Sequence, residues 1–160
     1  MKSRLASALD AADLRILAVV QEDAALAVGE VAERVHLSTN ACWRRIKRLE
    51  ADGLILRRVA LLDAARLEAG VTVFVTIRAA EHSDAWLAEF AAVVRRIPQI
   101  VEFHRMSGDI DYLLKIRVAD IAAYDDVYKR LIRGVRLSDV SSAFAMETLK
   151  STTAIPLPVG

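Results

Sequence analysis

The chain has 160 residues, of which 54% are hydrophobic; this suits one folded domain or two small ones and excludes an intrinsically disordered chain. No apolar stretch approaches the ~20 residues that span a membrane, and no signal peptide is recognisable, so we expect a cytoplasmic protein without a membrane partner. The single cysteine, Cys42, excludes a disulfide within the chain.

The net charge of +1 conceals a local excess of positive charge. Residues 36–58 carry six basic and two acidic side chains, whereas residues 1–35 carry four basic and six acidic ones. The remainder, 59–160, is close to neutral, with twelve basic and thirteen acidic side chains. Because phosphate groups attract clustered cations, this one segment is where we expect a nucleic acid to bind.

Two amphipathic helices are predicted at the start of the chain. The first spans Ala11–Glu22, because its apolar residues recur at helical spacing and Asp10 with Asp13 resembles a capping box. The second spans Val28–Val35 and places its apolar residues on one side. Each helix therefore has one face suited to a shared core.

A third, basic helix follows after a short break. Ser38 is a good N-cap, the helix is predicted to run to about Asp52, and Gly53 is predicted to end it. The β-prone residues Ile55–Val59 predict a small hairpin after the helix. This order of elements predicts a winged helix-turn-helix domain over residues 1–59.

Residues 60–69 form a predicted linker, and from Gly70 the apolar residues alternate with a period of two, which indicates a strand. The elements predicted for residues 70–160 are strand 71–78, helix 84–97, strand 100–106, strand 110–118, helix 121–134 and strand 140–149. This βαββαβ order is the ferredoxin-like arrangement. We therefore predict an α+β protein whose second domain covers residues 70–160.

One face of that four-stranded sheet has no predicted cover. Two helices can cover only one face, and the alternation places Phe74 and Leu113 on the other. A partly apolar face in a small domain is most simply buried against a second copy of the chain, so we predict a homodimer.

The third helix carries side chains suited to DNA. Its predicted core-facing residues are spaced i, i+4, i+7: Cys42, Ile46 and Leu49. The outward-facing residues predicted to enter the major groove are Thr39, Asn40, Trp43, Arg44 and Lys47. The N-cap Ser38 is predicted to belong to the DNA-binding surface as well. The predicted phosphate contacts are Arg45, Arg48, Arg57 and Arg58.

Two alternatives stay open for this helix. A cationic helix face can simply meet solvent, without a nucleic acid. Trp43 can pack against the neighbouring helix instead of touching a thymine methyl group or a sugar. The short break before the helix and the β-prone segment after it favour DNA binding.

Three blocks of sequence resemble the Lrp/AsnC (feast/famine) transcriptional regulators. They are Leu9–Leu17 continued by Leu37-Ser38 and Arg45–Ile55, then Ser107–Leu114, and finally Phe144–Leu157. Together they cover nearly the whole chain in the family's order. The resemblance implies dimers built through the C-terminal domain, often assembled into octamers, and regulation by small amino acids.

The resemblance also implies an effector site where sensing domains of neighbouring dimers meet. The residues carried over by position are Ser107, Gly108, Asp109, Asp111 and Ser142. Asp109 or Asp111 suits the ammonium of an amino acid, and backbone N–H groups around Gly108 suit its carboxylate. Alternatively, Ser107–Asp109 only closes a hairpin and Asp111 is a solvated edge residue.

Other classes of function have weaker support. His104, Ser107, Asp109 and Asp111 lie close in sequence, but His104 and Ser107 fall on opposite faces of a strand and no G-x-S-x-G motif is present. We therefore expect no enzyme. The histidines are scattered without ligand spacing, so no metal or other cofactor is expected. An architectural DNA-binding protein without effector response is the nearest alternative.

Overall fold

A computed structural model describes residues 9–158. Contacts between residues divide the chain into two compact units. Of the described residues, 9–61 and 150–158 belong to the first unit, and Leu62–Leu149 belong to the second.

Three helices build the first unit: α1 (Ala11–Glu22), α2 (Val28–Arg34) and α3 (Thr39–Ala51). Their bounds confirm the sequence prediction to within one residue. The buried residues of this unit's core are Ile16, Leu17, Val31, Ala32, Val35, Cys42, Ile46 and Leu49.

The helix ends follow from local hydrogen bonds. Asp13 N–H donates to Asp10 Oδ1 at 2.9 Å, and Asp10 N–H donates to Asp13 Oδ2 at 3.2 Å, which confirms the capping box of α1. Ser38 Oγ accepts from Ala41 N–H at 3.3 Å at the start of α3. Gly53 has a φ of +72°, a left-handed conformation that ends α3 where glycine is favoured.

The predicted hairpin at Ile55–Val59 was wrong, because none of residues 54–70 is in a strand. Ile55 N–H donates to Leu49 O, the end of α3, and not to a neighbouring strand. Leu56 is 88% exposed and Val59 is 60% exposed. Without a second strand beside it, a β-prone segment has no ladder to join.

The C-terminal segment belongs to the first unit by its contacts, whereas we had predicted it to lie in the C-terminal domain. The side-chain amide of Gln21 on α1 makes two hydrogen bonds with the backbone of Ile155, at 3.0 and 3.3 Å. Leu157 packs against the apolar core of this unit. Residues 150–158 thus contact the first unit through a hydrogen-bonded pair on α1 and an apolar contact with its core.

The second unit has the predicted βαββαβ order. Its elements are β1 (Val71–Ala79), α4 (Asp84–Arg95), β2 (Ile100–Arg105), β3 (Tyr112–Val118), α5 (Ile121–Gly134) and β4 (Leu137–Phe144). The strands lie in the order β2-β3-β1-β4 and all pairs are antiparallel. This confirms the ferredoxin-like prediction.

Strand β4 differs from its prediction, which was residues 140–149. It begins at Leu137, opposite Ala79, and its last residue, Phe144, lies opposite Val73. One more hydrogen bond, from Ala145 N–H to Thr72 O, reaches the start of β1. Because β1 begins at Val71, residues 146–149 have no partner strand and leave the sheet.

The helices cover one face of the sheet. The residues buried between them include Val73, Val75 and Ile77 of β1, as the alternation predicted. Phe74 lies on the opposite face, beside Lys115 of β3 and Ala143 of β4, and is 38% exposed. That second face is therefore partly apolar in the single chain.

Candidate functional site

Helix α3 is attached to the first unit by one apolar side. Cys42 and Leu49 are fully buried and Ile46 is 2% exposed, which confirms the three predicted anchors. Burial raises the pKa of the Cys42 thiol, so it stays protonated and acts as a small apolar side chain.

The opposite side of α3 is exposed. We define the reading face as Thr39, Asn40, Trp43, Arg44 and Lys47, all of which are exposed. Trp43 is 51% exposed, so it does not pack into the core. Arg44 forms no ion pair with any of residues 9–158, whereas Lys47 Nζ lies 2.8 Å from Glu50 Oε2.

The two arginines after α3 are also accessible. Arg58 Nη2 lies 3.4 Å from Glu50 Oε1, and Arg57 is exposed. The pKa of Glu50 is lowered by its hydrogen bond from Lys47, with a smaller effect of Arg58. Glu50 thus holds Lys47 and Arg58 on the same side of the unit.

Arg45 and Arg48, which we predict to contact phosphates, lie beside acidic side chains. Arg45 Nη1 lies 2.6 Å from Asp10 Oδ2 and 2.8 Å from Asp13 Oδ1, and Arg48 Nη2 lies 2.5 Å from Asp13 Oδ2. We call these four residues the Asp13 cluster. Both arginines are paired with acids at the start of α1, and the Arg48 side chain is 49% exposed.

Sequence reasoning assigned Asp13 only a capping role. Its position three and four residues before Ile16 and Leu17 places it on the buried side of α1, and this spacing was the signal that it faces another element. The Asp13 backbone N–H, and then Arg45, lower the pKa of Asp10 from 3.8 to about 2. Asp10 therefore carries its charge near neutral pH.

Four of the five predicted effector residues lie together in the loop between β2 and β3. Gly108 has a φ of +112°, as a tight turn requires, and Asp109 O accepts from Arg78 Nε at 2.9 Å. Asp111 Oδ2 accepts from Ala79 N–H at 2.8 Å. Asp111 Oδ1 lies 3.8 Å from His82 Nδ1 and accepts no hydrogen bond from residues 9–158.

Ser142 does not join this loop within one chain. It lies in β4 opposite Val75, on the helix-covered side, where its hydroxyl is hydrogen-bonded to Tyr124 OH. Strands β3 and β4 flank β1 on opposite sides, about 10 Å apart. A groove of about 1200 Å³ between α4, α5 and β4 is lined by none of the five effector residues.

Two known domain families match different parts of the chain. The "Lrp/AsnC ligand binding domain" matches residues 72–155, and "Winged helix-turn-helix DNA-binding" matches residues 9–55. The chain belongs to the Lrp/AsnC family. The chain is therefore a transcriptional regulator with a DNA-binding domain and a ligand-binding domain, and it is not an enzyme.

Individual members of the Lrp/AsnC family resemble this regulator over most of its length. The glutamate uptake regulatory protein of Zymomonas mobilis is 53% identical over 150 residues, which cover 94% of this chain and 92% of that protein. An AsnC family regulator from Agrobacterium tumefaciens has a TM-score of 0.90 at 56% identity, covering 93% and 97% of the two chains.

A ligand is present in another similar structure. The complex of the regulator NMB0573 from Neisseria meningitidis with L-Met has a TM-score of 0.88 at 35% identity, covering 93% of this chain and 97% of that chain. In the present regulator, none of the helices within residues 9–158 has the length and apolar character to cross a membrane. The same residues contain no cluster of three potential metal ligands.

Proposed function

We propose that this regulator binds promoter DNA as a homodimer in the cytoplasm, with one α3 of each protomer in the major groove. The observation that carries this proposal is the two-sided character of α3. Its apolar anchors are buried, while the reading face is exposed at the N-terminal turns, which are the part of a recognition helix that meets base edges.

The accessible side chains divide into two roles. Arg44 has no ion-pair partner among residues 9–158 and lies next to Asn40 on the reading face, so we assign both to base edges. Arg57 and Arg58 lie beyond the end of the helix and suit the phosphate backbone. Ser38, as the N-cap, contributes to the position of the first turn.

The proposed effector is a small amino acid that binds at the β2–β3 loop. Asp111 Oδ1 and the carboxylate of Asp109 suit its ammonium group, and the turn N–H groups around Gly108 suit its carboxylate. Because Ser142 is remote from this loop within one chain, it joins the site only if a neighbouring chain supplies it. L-Met, the ligand of the Neisseria relative, is the first candidate.

The proposed dimer buries the sheet face that the helices leave uncovered. Phe74 and Leu113 lie on that face, and a second copy of the same face is complementary by symmetry. The proposed assembly of dimers into octamers then places β2–β3 loops of neighbouring dimers together. Sedimentation that finds a monomer at micromolar concentration contradicts this arrangement.

The central test is a gel shift with the regulator's own promoter region, repeated with each amino acid in turn. We expect a retarded complex whose stability changes with one or a few amino acids. Asp111→Asn keeps an oxygen for the Ala79 N–H but removes the charge, so we expect it to abolish the effector response and preserve DNA binding.

The matched control is Asp126→Asn, which removes an exposed acid of α5 that forms no ion pair with residues 9–158. We expect its response to equal that of the unsubstituted protein. An unchanged response in Asp111→Asn excludes that residue from the effector site. A complex that forms but responds to no amino acid supports an architectural protein instead.

A further inference from the structure

We propose that Asp13 is a positioning residue that fixes the rotation of α3 about its own axis, and so sets which side chains meet the bases. The inference rests on the proposed use of α3 as the helix that reads DNA. It concerns a residue of α1, which lies outside the reading face.

The carboxylate of Asp13 is buried, and both of its oxygens accept hydrogen bonds. Its side chain is 1% exposed, and Asp13 and Thr72 are the buried polar residues among residues 9–158. Oδ1 accepts from Arg45, whereas Oδ2 accepts from Arg48 and from the Asp10 backbone N–H. A buried charge is tolerated only when it is paired in this way.

The two arginines are three residues apart on α3 and therefore project from one side of that helix. The apolar anchors of α3 hold it against the core, but apolar contacts have little directional preference. Charge-assisted hydrogen bonds from two guanidinium groups to one carboxylate are directional. The Asp13 cluster therefore adds the constraint on rotation that packing alone supplies weakly.

A small rotation of α3 is enough to disturb base contacts. A helix with its side chains has a radius of about 5–6 Å, so a rotation of roughly 20° moves a side-chain end by about 2 Å. Hydrogen bonds to base edges tolerate a range of only about 0.5 Å in donor–acceptor distance. Loss of Asp13 would consequently weaken sequence reading without touching the reading face.

Asp13 also neutralises charge that is otherwise available to phosphates. Without it, Arg45 and Arg48 keep only the exposed Asp10, which contacts Arg45 alone. Freed guanidinium groups bind any DNA sequence, and each new phosphate contact steepens the salt dependence by about 0.9 in the logarithmic slope. Specific and non-specific binding are thus expected to change in opposite directions.

The experiment measures dissociation constants for a duplex from the promoter region and for a scrambled duplex, at several salt concentrations. It compares the unsubstituted protein, Asp13→Asn and the matched control Glu33→Gln, an exposed acid of α2 without an ion pair among residues 9–158. For Asp13→Asn we expect promoter binding to weaken by about tenfold. Binding to the scrambled duplex is expected to tighten, with a steeper salt slope.

Circular dichroism measures the unfolding temperature of each variant, and all dissociation constants are measured below that temperature. If Asp13→Asn does not fold, Arg45→Lys serves instead, since it keeps the charge but loses the planar guanidinium geometry. We expect it to weaken promoter binding and leave scrambled binding unchanged. Equal changes on both duplexes, or no change on either, would overturn the inference.

The outcomes separate this inference from the proposed function. If the unsubstituted protein binds both duplexes equally, then α3 does not read sequence and the proposed function fails. If that protein discriminates and Asp13→Asn discriminates equally well, only the positioning role of Asp13 fails. Glu33→Gln is expected to match the unsubstituted protein on both duplexes.

Discussion

Neighbouring arginines of α3 have different surroundings because successive residues of an α-helix project about 100° apart. Arg44 is exposed on the reading face, whereas Arg45 is bound by Asp10 and Asp13 of α1. The hydrogen bonds of these acids raise the pKa of Arg45, chiefly through Asp13. Adjacent basic residues of α3 therefore differ in their contacts: Arg44 is exposed to solvent, and Arg45 binds acids at the start of α1.

The base-contacting role proposed for Arg44 and the phosphate-contacting role proposed for Arg58 are distinguishable by mutation. We expect Arg44→Ala to weaken promoter binding by about 1–3 kcal/mol and to change binding to scrambled DNA little. Arg58→Ala is expected to weaken both alike and to lower the salt slope by about 1, because a phosphate contact carries no sequence information. Fluorescence anisotropy measures both quantities. Equal losses on the two duplexes for Arg44→Ala would show that the reading face is misplaced.

The lowered pKa of Asp10 predicts that the free energy of unfolding depends on pH. Its pKa is about 2 in the folded chain against an ordinary 3.8, so the folded state binds this proton less tightly than the unfolded state. The resulting stabilisation is complete above about pH 4 and is lost as the pH falls towards 2. Thermal unfolding between pH 2 and 5 measures it. Asp10→Asn is expected to show a shallower pH dependence in that window, and an identical dependence contradicts the assignment.

Elements differ in how far local sequence fixes their ends. Helices α1, α3, α4 and α5 begin where an Asp or Ser side chain accepts from a backbone N–H three residues later, so their starts were predictable. The ends of β4 depend on where β1 begins and ends, which propensity does not report. For the same reason the β-prone residues after α3 stay outside any strand.

The contact between α4 and α5 predicts the effect of one glycine substitution. A Cβ atom at Gly134 would lie 2.6 Å from both methyl groups of Val93, a β-branched side chain with little freedom to move. We expect Gly134→Ala to destabilise the second unit by about 1–3 kcal/mol in chemical denaturation.

Gly29 of α2 is the matched control, because nothing lies within 4 Å of an added Cβ. Gly29→Ala is expected to leave stability unchanged or raise it by about 0.5–1 kcal/mol, through the better helix propensity of alanine. Similar effects of the two substitutions would mean that α4 and α5 do not approach closely at Gly134.

At the scale of the whole molecule, the chain passes between its two units twice, after Leu61 and after Leu149. The second passage brings residues 150–158 to α1, where Gln21 binds the backbone of Ile155. A domain assignment by sequence order alone gives one connection. The DNA-binding unit therefore includes residues from both halves of the sequence.

The C-terminal segment is predicted to stabilise the DNA-binding unit. Leu157 packs against its core and is partly buried, so we expect Leu157→Ala to cost about 1 kcal/mol. Hydrogen exchange of the α1 amides measures the effect where it arises. Met146→Ala is the control, because Met146 is 96% exposed, and it is expected to leave this exchange unchanged. Equal exchange in both variants would place Leu157 outside the cooperative unit.

The sequence by itself determined the helix caps, the buried and exposed sides of α3 and the βαββαβ order, because these depend on residues within a few positions of one another. Tertiary structure alone decided that Arg45 and Arg48 bind Asp13, 32 and 35 residues away, and that Ile155 binds Gln21, 134 residues away. The sequence of a helix shows which of its side chains are charged, but it does not show which residue each of them pairs with. Which partner neutralises that charge depends on the packing of elements far apart in the chain, and periodicity carries no information about it.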